Sequence, residues 1–503
     1  MTRPQHHDVL IIGAGLSGIG MGCHLRMYAK DKTFAILERR ERLGGTWDLF
    51  RYPGIRSDSD MFSMGYGFRP WREFKVLADG PSIRKYIGDT AREYGIEEKI
   101  QYGVKVLRSE WSSAQRRWTV TALHEATGET REYTASFVVM CTGYYNHDHG
   151  YEPDFPGLAR FEGRRIHPQK WPEDLDYRGK KVVIIGSGAT AVTLLPAMAP
   201  DAASVTMLQR SPTYMLNVPN HDVISEVLLK VLPAKWVWDF ARWRNIKLYR
   251  WLYKGAKRWP NAVRKLLLGA AAGALGPQVD MKHFTPTYKP WDQRLCAVPD
   301  NDLFEAVKSG RAGVVTDQIE TFTQTGIQLK SGRHLDADIV VIATGLEVKA
   351  FGNVEVVVDR KPVRLPEKKL YKGVLVEDVP NTAWIIGYTN ITWTLKADIA
   401  SRYICRLLGH MDAKRLAVAT PIDREGCTSQ ETIFGSLSSG YVQRAKDHLL
   451  RQGTKAPWIV THKYEEDRPM LLEAPIEDGI LQFEGATESR PGAVPGEDLR
   501  AAA

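Results

Sequence analysis

The sequence lacks several features that would each define a class of protein. Its five cysteines are widely spaced and no CxxC pair occurs, so neither a zinc ribbon nor a redox-active dithiol is predicted. No stretch of about 18 uncharged apolar residues occurs, which argues against a transmembrane helix. The first apolar run, 9–12, lacks the charged start and long apolar core of a secretory leader, so none is expected. A reduced, cytoplasmic location fits these absences best.

The composition is otherwise that of a globular protein with a surplus of positive charge. Of 503 residues, 43% are hydrophobic and 25% are charged, which rules out global disorder. This length suggests about three domain-sized units. The formal net charge of +9 is compatible with nucleic acid, with an anionic membrane surface or with phosphate-rich cofactors. Composition alone does not choose among these partners.

A first glycine-rich turn follows a short apolar strand near the start of the chain. The run 8–12 leads into Gly13-x-Gly15-x-x-Gly18, a helical pattern follows, and the next strand ends at Glu38. Glycines in this arrangement let the backbone approach a pyrophosphate at a helix N-terminus. Glu38 can accept hydrogen bonds from ribose hydroxyls, and its charge would repel a 2′-phosphate. This turn is therefore predicted to bind FAD or NAD rather than NADP.

The same theme returns later in the chain with a different residue after the second strand. The run 181–185 leads into a second glycine turn, and the strand that follows it ends beside Arg210. Arginine suits a 2′-phosphate, which predicts NADPH, although a solvated arginine at a strand end is the alternative. Two different dinucleotides imply hydride transfer between them, and FAD with NADPH is the natural pair. The residues predicted to hold NADPH are Ile185, Gly186, Ser187, Gly188, Ala189, Thr190, Ala191, Gln209, Arg210 and Ser211.

The order of these repeats predicts that one unit is nested in the other. The expected fold class is α/β, with two Rossmann-like dinucleotide-binding domains, the second inserted in the first, and a helical subdomain. The FAD-binding domain is expected at 1–148 and 339–485, and the NADPH-binding domain at 149–338 with a helical insertion at 221–280. The tail, 486–503, is rich in Gly, Pro, Glu, Arg and Ala and is predicted to be disordered.

The segment 221–275 differs in composition from the rest of the chain. It holds eleven Lys and Arg against three Asp and Glu, and five of the 14 tryptophans. Apolar and basic residues alternate at helical spacing, which predicts amphipathic helices. The favoured interpretation is a subdomain that packs its aromatic residues on the α/β core. The alternative is a patch for a membrane surface or a lipophilic substrate, which would make the protein peripheral to the membrane.

Two further motifs carry a family resemblance. One runs from Gly44-Gly45-Thr46-Trp47 through Tyr52-Pro53-Gly54 to Asp58. The other, 161–172, fills every fixed position of FxGxxxHxxxWP. Together they resemble the fingerprint of the Baeyer–Villiger monooxygenases, within the class B flavoprotein monooxygenases. Longer runs, such as WDLFRYPGIRSDSDM and GYTNITWTLKAD, extend the resemblance over about residues 8–460.

The resemblance implies an enzyme that uses FAD, NADPH and O2. Such an enzyme inserts one oxygen atom next to a ketone carbonyl, through a C4a-peroxyflavin, and releases an ester or lactone; sulfides are further expected substrates. The family's catalytic arginine falls on Arg294, and its partner carboxylate falls on Asp58. A fixed cation there would stabilise negative charge on oxygen. Several family members have a lysine before this arginine, whereas this chain has Gln293, which leaves the 2′-phosphate mainly to Arg210.

Further residues are implied by position in the family's motifs. His167 lies in the second motif and is expected to couple the two nucleotide-binding units as part of a hinge rather than to act as an acid. Arg56 and Ser57 are expected to meet NADP. The residues expected to contact FAD, besides the first glycines, Glu38 and Asp58, are Ser17, Gly45, Thr46, Trp47, Asp48, Leu49 and Val106.

Other functions compatible with the sequence remain open. One is an S- or N-oxygenating flavin monooxygenase without ketone activity, and another is a flavin reductase that uses O2 only by leakage. A third is a non-enzymatic membrane or scaffold protein built on the basic insertion. No motif supports binding to nucleic acid or to a metal. The physiological substrate and the oligomeric state are not determined by the sequence.

Overall fold

The computed structural model describes residues 5–293, 295–435 and 437–485. The predicted tail and the predicted catalytic residue Arg294 lie outside this part of the chain. The first 140 residues form most of a large sheet and the helices beside it. Their elements are β1 (Gln5–Ile12), α1 (Leu16–Tyr28), β2 (Phe34–Leu37), α2 (Thr46–Leu49), α3 (Met61–Met64), α4 (Gly80–Glu93), β3 (Ile100–Gln101), β4 (Val104–Ser112), β5 (Arg117–His124) and β6 (Glu129–Met140).

The middle of the chain forms a second sheet and three consecutive helices, of which the second and third are long. Its elements are β7 (Arg164–Ile166), β8 (Lys181–Ile185), α5 (Ala189–Met198), β9 (Ser204–Gln209), β10 (Met215–Val218), α6 (Val223–Leu228), α7 (Ala234–Arg258), α8 (Pro260–Leu275), β11 (Cys296–Pro299), α9 (Asp302–Lys308), β12 (Ala312–Thr316), β13 (Ile319–Phe322), β14 (Gly326–Leu329), β15 (His334–Asp336) and β16 (Ile339–Ile342). Five of these strands pair in parallel in the order β12-β9-β8-β16-β7. Helices α6 to α8 occupy the predicted helical insertion.

The remaining chain returns to the large sheet. Its elements are β17 (Glu355–Val358), β18 (Lys361–Pro362), β19 (Leu370–Tyr371), β20 (Leu375–Val376), β21 (Thr382–Trp384), α10 (Trp393–Ala413), β22 (Leu416–Pro421), β23 (Thr428–Thr432), α11 (Gly440–Ala445), β24 (Arg451–Gly453), α12 (Tyr464–Leu472) and β25 (Leu481–Gly485). The large sheet has 11 strands, in which β17 pairs with β4 and β21 pairs with β6, both in parallel. The chain therefore leaves this sheet after β6 and rejoins it at β17.

The sheet pairing corrects one predicted boundary. The return to the first unit was expected at 339, but β16 pairs in parallel with β8 and β7 in the five-stranded sheet. All four of its residues are buried, as a central parallel strand requires. The boundary therefore lies after β16, because the strand pattern of Ile339–Ile342 completes the second sheet rather than the first.

The ends of both glycine-turn strands, 9–12 in β1 and 182–185 in β8, are apolar because each is covered on both faces. In β1, Val9 and Ile11 pack in one core cluster, whereas Leu10 and Ile12 pack in the cluster on the opposite face. Successive side chains of a strand point to opposite faces, so a strand buried on both sides reads as a continuous apolar run. The strand β8 divides its side chains in the same way between two further clusters.

The helical insertion packs against the unit that contains the large sheet. Few of its aromatic residues take part in this contact. Trp238 is buried and stacks on Phe62 of α3, with ring centroids 6.2 Å apart. The other four tryptophans, Trp236, Trp243, Trp251 and Trp259, are exposed. The expectation that this subdomain packs its aromatic residues on the core is therefore met by Trp238 but not by the other tryptophans. The described residues contain no helix that combines the length and apolar character needed to span a bilayer.

His462 is a buried histidine that makes stability depend on pH. Its Nε2–H donates to the carbonyl oxygen of Ile433 at 2.7 Å, and its Nδ1 is buried without a hydrogen-bond partner. Burial lowers its pKa from 6.5 to about 4. As the pH falls, the imidazole of His462 is therefore protonated in the unfolded chain at a higher pH than in the folded protein. The stabilisation is fully present above pH 6.5 and is lost as the pH falls towards 4, by roughly 2 kcal/mol at pH 5.

We expect His462→Gln, which keeps a donor towards Ile433, to flatten this dependence. Between pH 7.5 and pH 5 the wild-type free energy of unfolding should fall by roughly 2 kcal/mol more than that of the variant. Urea denaturation at the two pH values measures the difference. His147, whose pKa burial also lowers to about 4, supplies a pH dependence that both proteins share. An equal loss in the two proteins would show that His462 is not the titrating group.

Candidate functional site

A large cavity lies at the carboxyl ends of the first strands of the 11-stranded sheet. Ile12 and Leu37, which end β1 and β2, line it together with Cys141 and Thr142, which follow β6. This edge of an α/β sheet is where ligands bind, because the loops that follow parallel strands converge there. We call this space the central cavity.

The first glycine turn is packed so closely that side chains are excluded from it. Gly13 has a φ of +102°, which favours glycine. A Cβ atom at Gly18 would lie 1.8 Å from the carbonyl oxygen of Gly13. The first turn of α1 therefore rests directly on the end of β1. This contact places the amide groups at the start of α1 at the wall of the central cavity.

The helices that follow the two glycine turns begin without a side-chain cap. Gly15 before α1 and Gly188 before α5 provide no capping group, and neither helix has an acidic residue in its first turn. By contrast, α3, α4 and α6 are capped by Asp60, Asp79 and Asp222. The first N–H groups of α1 and α5 thus lack side-chain acceptors, and the helix dipole favours negative charge there. Both starts suit the phosphates of a dinucleotide.

Glu38 is held at the wall of the central cavity by two backbone amides. Its carboxylate oxygens accept hydrogen bonds from the N–H of Ala14 at 2.6 Å and from the N–H of Arg40 at 2.9 Å. The side chain is buried, and burial raises its pKa. Each oxygen has a further lone pair. Glu38 is therefore oriented to accept hydroxyl donors from a ligand in the cavity.

The central cavity brings together most of the residues predicted to contact FAD. Those that line it are Gly13, Gly15, Ser17, Glu38, Gly45, Thr46, Trp47, Asp58 and Val106. Arg56 and Ser57, predicted to meet NADP, also line it. Gly18 lies beneath the cavity wall, in the close contact with Gly13.

Asp48 and Leu49 differ from the expectation that they contact FAD, since neither lines the cavity. The Asp48 carboxylate is buried and bonds to Arg40 at 2.8 Å and to Arg84 at 3.1 Å. Leu49 is buried in the core beside the five-stranded sheet. The reason is the single helical turn of α2, in which successive side chains point about 100° apart. Trp47 faces the cavity, and the two residues after it point elsewhere.

The second glycine turn lies at the end of β8, mostly outside the central cavity. Gly186 has a φ of +138°, and a Cβ atom there would lie 2.3 Å from the carbonyl oxygen of Ala343. Ile185 is buried at the end of β8, and Ala191 is buried in α5. The Ser187 hydroxyl donates to the carbonyl oxygen of Ser211 at 2.9 Å. The glycine turn is therefore adjacent to the loop that follows β9.

Arg210 and Gln209 occupy opposite sides of the strand end. Arg210 is exposed, and no carboxylate in the described part of the chain pairs with it. Gln209 is buried, and its Nε2 donates to the carbonyl oxygen of His283 at 2.6 Å and to Thr316 Oγ1 at 2.9 Å. Gln209 is therefore turned into the core, where its amide nitrogen anchors neighbouring segments of the same unit, and its contact with a cofactor stays a prediction. Arg210 stays available for an anionic ligand.

The second glycine turn is connected to the central cavity by α5, the helix that follows it. Ala189, Thr190 and Thr193 line the same cavity as Gly13 and Thr46. Tyr52 lines the cavity beside Thr190, and burial raises the pKa of its hydroxyl to about 12. Ligands bound to the two turns would therefore reach one shared space.

Asp58 also lines this shared space, next to the start of α3. Its predicted partner, Arg294, lies outside the described residues, but Cys296 and Ala297 of β11 line the cavity. Arg56 is held by an ion pair with Asp302 at the start of α9. His167 is not at the cavity: its Nδ1 accepts from the Gln169 N–H at 3.2 Å and its Nε2 lies 3.3 Å from the Gly345 carbonyl oxygen.

Aromatic residues form part of the cavity wall, and two of them, Tyr388 and Trp393, lie in the run GYTNITWTLKAD that carries part of the family resemblance. Tyr144, Tyr145, Tyr388 and Trp393 line the cavity. Trp393 stacks on Tyr144 with ring centroids 5.3 Å apart, and its Nε1–H donates to Ser17 Oγ at 2.7 Å. Tyr144 and Tyr145 directly follow the turn that ends at Gly143. Their position after this turn is the sequence signal that could have placed them at the cavity. In the described residues, no group of three or more His, Cys, Asp or Glu could hold a metal.

Comparison with known proteins identifies the family. Residues 6–232 match the family model described as flavin-binding monooxygenase-like. The chain is 61% identical over 493 residues to the FAD-containing monooxygenase MymA of Mycobacterium tuberculosis, covering 97% of this chain and 100% of the relative. The chain belongs to the flavin-binding monooxygenase-like family. It is also 46% identical to the FAD-containing monooxygenase EthA of that organism, over 95% of this chain and 98% of the relative.

Solved structures of two further monooxygenases share the fold. A steroid monooxygenase bound to NADP superimposes with a TM-score of 0.76 at 19% identity, covering 96% of this chain and 100% of that one. Cyclohexanone monooxygenase from Rhodococcus sp. Phi1, bound to NADP+, gives a TM-score of 0.73 at 20% identity over the same shares. The predicted fold class and the family resemblance are thereby confirmed. This protein is a flavin-dependent monooxygenase.

Proposed function

We propose that this monooxygenase uses FAD and NADPH to insert one oxygen atom of O2 next to a ketone carbonyl, giving an ester or lactone. The observation that carries the proposal is that the first glycine turn and the first turn of α5, which follows the second glycine turn, line one cavity, which Asp58 also lines. Two dinucleotides held at the uncapped starts of α1 and α5 would meet there. Sulfides are the second substrate class, as softer acceptors of the same oxygen atom.

The residues present fit FAD at the first turn. The amides at the start of α1 would hold the pyrophosphate, and Glu38 would accept from ribose hydroxyls. Trp393, fixed by its hydrogen bond to Ser17, would bound the flavin end of the cavity with Tyr144 and limit access of water. When bound, FAD supplies the redox chemistry that accepts hydride and activates O2. The names of the relatives, both FAD-containing monooxygenases, support this cofactor.

The second turn fits NADPH. The uncapped start of α5 suits its pyrophosphate, and Arg210 with Ser211 lies beside that turn. A guanidinium can bind a 2′-phosphate through two charge-assisted hydrogen bonds. The two solved structures of similar fold are bound to NADP or NADP+, which supports the assignment. By family resemblance, Arg294 would stabilise negative charge on oxygen during attack on the carbonyl, and Asp58 would orient it.

A product assay tests the proposed reaction. The purified yellow protein is incubated with NADPH and linear, cyclic or aryl ketones, and NADPH consumed is compared with ester formed. We expect ester or lactone in proportion to NADPH. Sulfoxide or N-oxide from parallel substrates, with no ester from any ketone, would instead establish an S- or N-oxygenase. NADPH consumption that yields hydrogen peroxide and no oxygenated product would identify a reductase.

Arg210→Ala should separate NADPH from NADH. We expect the KM for NADPH to rise roughly 10- to 100-fold, the loss expected for charge-assisted hydrogen bonds to one phosphate, while the KM for NADH stays nearly constant. Steady-state NADPH and NADH oxidation with one accepted substrate measures both constants. Arg311→Ala, an exposed arginine beside the opposite end of the same sheet, is the matched control and should change neither. Equal increases for the two nucleotides would contradict the assignment of Arg210.

A further inference from the structure

The outward face of α7 is aromatic where a water-exposed helix is ordinarily polar. Trp236, Phe240, Trp243, Lys247 and Trp251 recur at helical spacing and share one face. We call these five residues the α7 outer stripe. Trp236, Trp243 and Trp251 are 65%, 56% and 69% exposed. The stripe runs about 22 Å along the helix, since each residue adds 1.5 Å.

Apolar exposure continues onto the elements next to α7. The residues concerned, on α6, in the turn before α7 and on α8 with its first turn, are Val223, Ile224, Val227, Val231, Leu232, Trp259 and Leu266. Apolar patches of this kind on a monomer's surface mark binding surfaces, whereas single exposed apolar residues do not. The aromatic stripe and its apolar neighbours therefore point to a partner.

The charge of this region indicates the chemistry of that partner. The segment 221–275, with eleven Lys and Arg against three Asp and Glu, carries nearly all of the chain's formal net charge of +9. Lys247 within the stripe, Arg258 at the end of α7 and Lys265 on α8 are exposed and have no ion pair in the described part of the chain. Asp239 is the one acidic residue on α7, and Lys235 already pairs with it at 2.6 Å. The surface is therefore apolar and positive, which is complementary to an anionic one.

We propose that the α7 outer stripe docks on the surface of an anionic lipid bilayer. Tryptophan rings favour the headgroup level, and lysine and arginine beside them attract lipid phosphates. A helix with one aromatic-basic face lies in the plane of such a surface without crossing it. A second copy of the chain fits this face less well, because a two-fold contact would bring like positive charges together.

The inner face of α7 connects this surface to the central cavity. Arg242 donates to the carbonyl oxygens of Phe62 and Ser63, both at 3.1 Å, and so holds α7 on α3. Tyr249 is close enough to Asp58 and Asp60 for their charges to raise its pKa, after the larger effect of burial. The helix thus carries the stripe on its outer face and contacts, through its inner face, the segment that carries Asp58. Docking would bring the cavity's wall near a bilayer, although the docking itself does not depend on the proposed reaction.

Vesicle flotation with the FAD-loaded protein tests the proposal. Vesicles of phosphatidylcholine alone are compared with vesicles that contain about 30% phosphatidylglycerol, in about 20 mM and about 500 mM salt. We expect the protein to float with the anionic vesicles at low salt, several-fold less at high salt, and least with the neutral vesicles. Failure to float with anionic vesicles at low salt would overturn the proposal.

Two sets of substitutions connect flotation to the stripe. We expect Trp236→Ser/Trp243→Ser/Trp251→Ser and Lys247→Glu/Arg258→Glu each to reduce flotation at least fivefold, with flavin content and melting temperature unchanged. Lys330→Glu/Lys361→Glu makes the same charge change at exposed lysines elsewhere and should float like the wild type. Equal loss in that control would overturn the proposal. A second result would also overturn it. In that case the wild-type protein does not float but self-associates, as measured by light scattering, and the tryptophan substitutions abolish this self-association.

Discussion

Gly18→Ala is expected to produce a colourless protein. The added Cβ would lie 1.8 Å from the carbonyl oxygen of Gly13, well inside van der Waals contact with a backbone atom that cannot rotate away. The first turn of α1 would have to move by about 1 Å or more to restore a normal contact. That turn carries the amides proposed to hold the FAD pyrophosphate. The ratio of flavin to protein absorbance after purification measures the loss, which should be nearly complete.

Gly409→Ala is the matched control for this substitution. Gly409 also lies in a helix, α10, but a Cβ atom there meets nothing within 4 Å. Because alanine is the better helix former, this variant should keep its flavin and gain up to about 1 kcal/mol of stability. Normal flavin content in Gly18→Ala would contradict the proposed position of the pyrophosphate. Melting curves of both variants distinguish loss of flavin from loss of the fold.

The strands and turns proposed to bind nucleotides were predictable because their signal is local. The apolar run of β1 reflects its burial on both faces, and the glycines after it reflect close contact between neighbouring segments of the chain. The sheet to which β16 belongs could not be predicted from a local signal. Its apolar pattern fits the centre of either sheet, and only its pairing with β7 and β8 decides between them. The predicted boundary at 339 failed for this reason.

Side-chain direction explains why some of the predicted site residues do not line the central cavity. Gln209 and Arg210 are neighbours at the end of β9, where successive side chains point to opposite sides. One therefore enters the core while the other faces solvent. Asp48 similarly follows Trp47 within one helical turn, and its carboxylate meets arginines instead of the cavity. A motif fixes the spacing of residues but does not state which way each side chain points.

The aromatic wall of the cavity could not be assembled from the spacing of residues along the chain. Tyr144 follows β6, whereas Tyr388 and Trp393 lie more than 240 residues later in the chain. The stacking of Trp393 on Tyr144 exists only because β21 pairs with β6 and brings the segment before α10 next to the first unit. The composition of this wall therefore depends on tertiary pairing that no local pattern encodes.

The other large expected effect concerns the proposed oxygen transfer. In Arg294→Ala we expect ester formation to fall by roughly 100- to 1000-fold, the cost of removing one group that stabilises a developing negative charge. NADPH should still reduce the bound flavin, because the residues proposed to hold the two cofactors are unchanged. Anaerobic reduction followed by its absorbance, together with ester and hydrogen peroxide yields in air, separates these two effects.

Charge at this position can be tested independently of side-chain volume. Arg294→Lys keeps a cation, although without the planar fork of guanidinium, and should recover part of the ester yield that alanine loses. Asp58→Asn, at the cavity wall, should resemble the lysine variant, because it leaves the cation in place but removes the carboxylate proposed to orient it. Full ester formation in Arg294→Ala would remove Arg294 from the reaction. Loss of flavin reduction and ester formation together would assign it to cofactor binding, because only a residue specific to oxygen transfer leaves the reductive step intact.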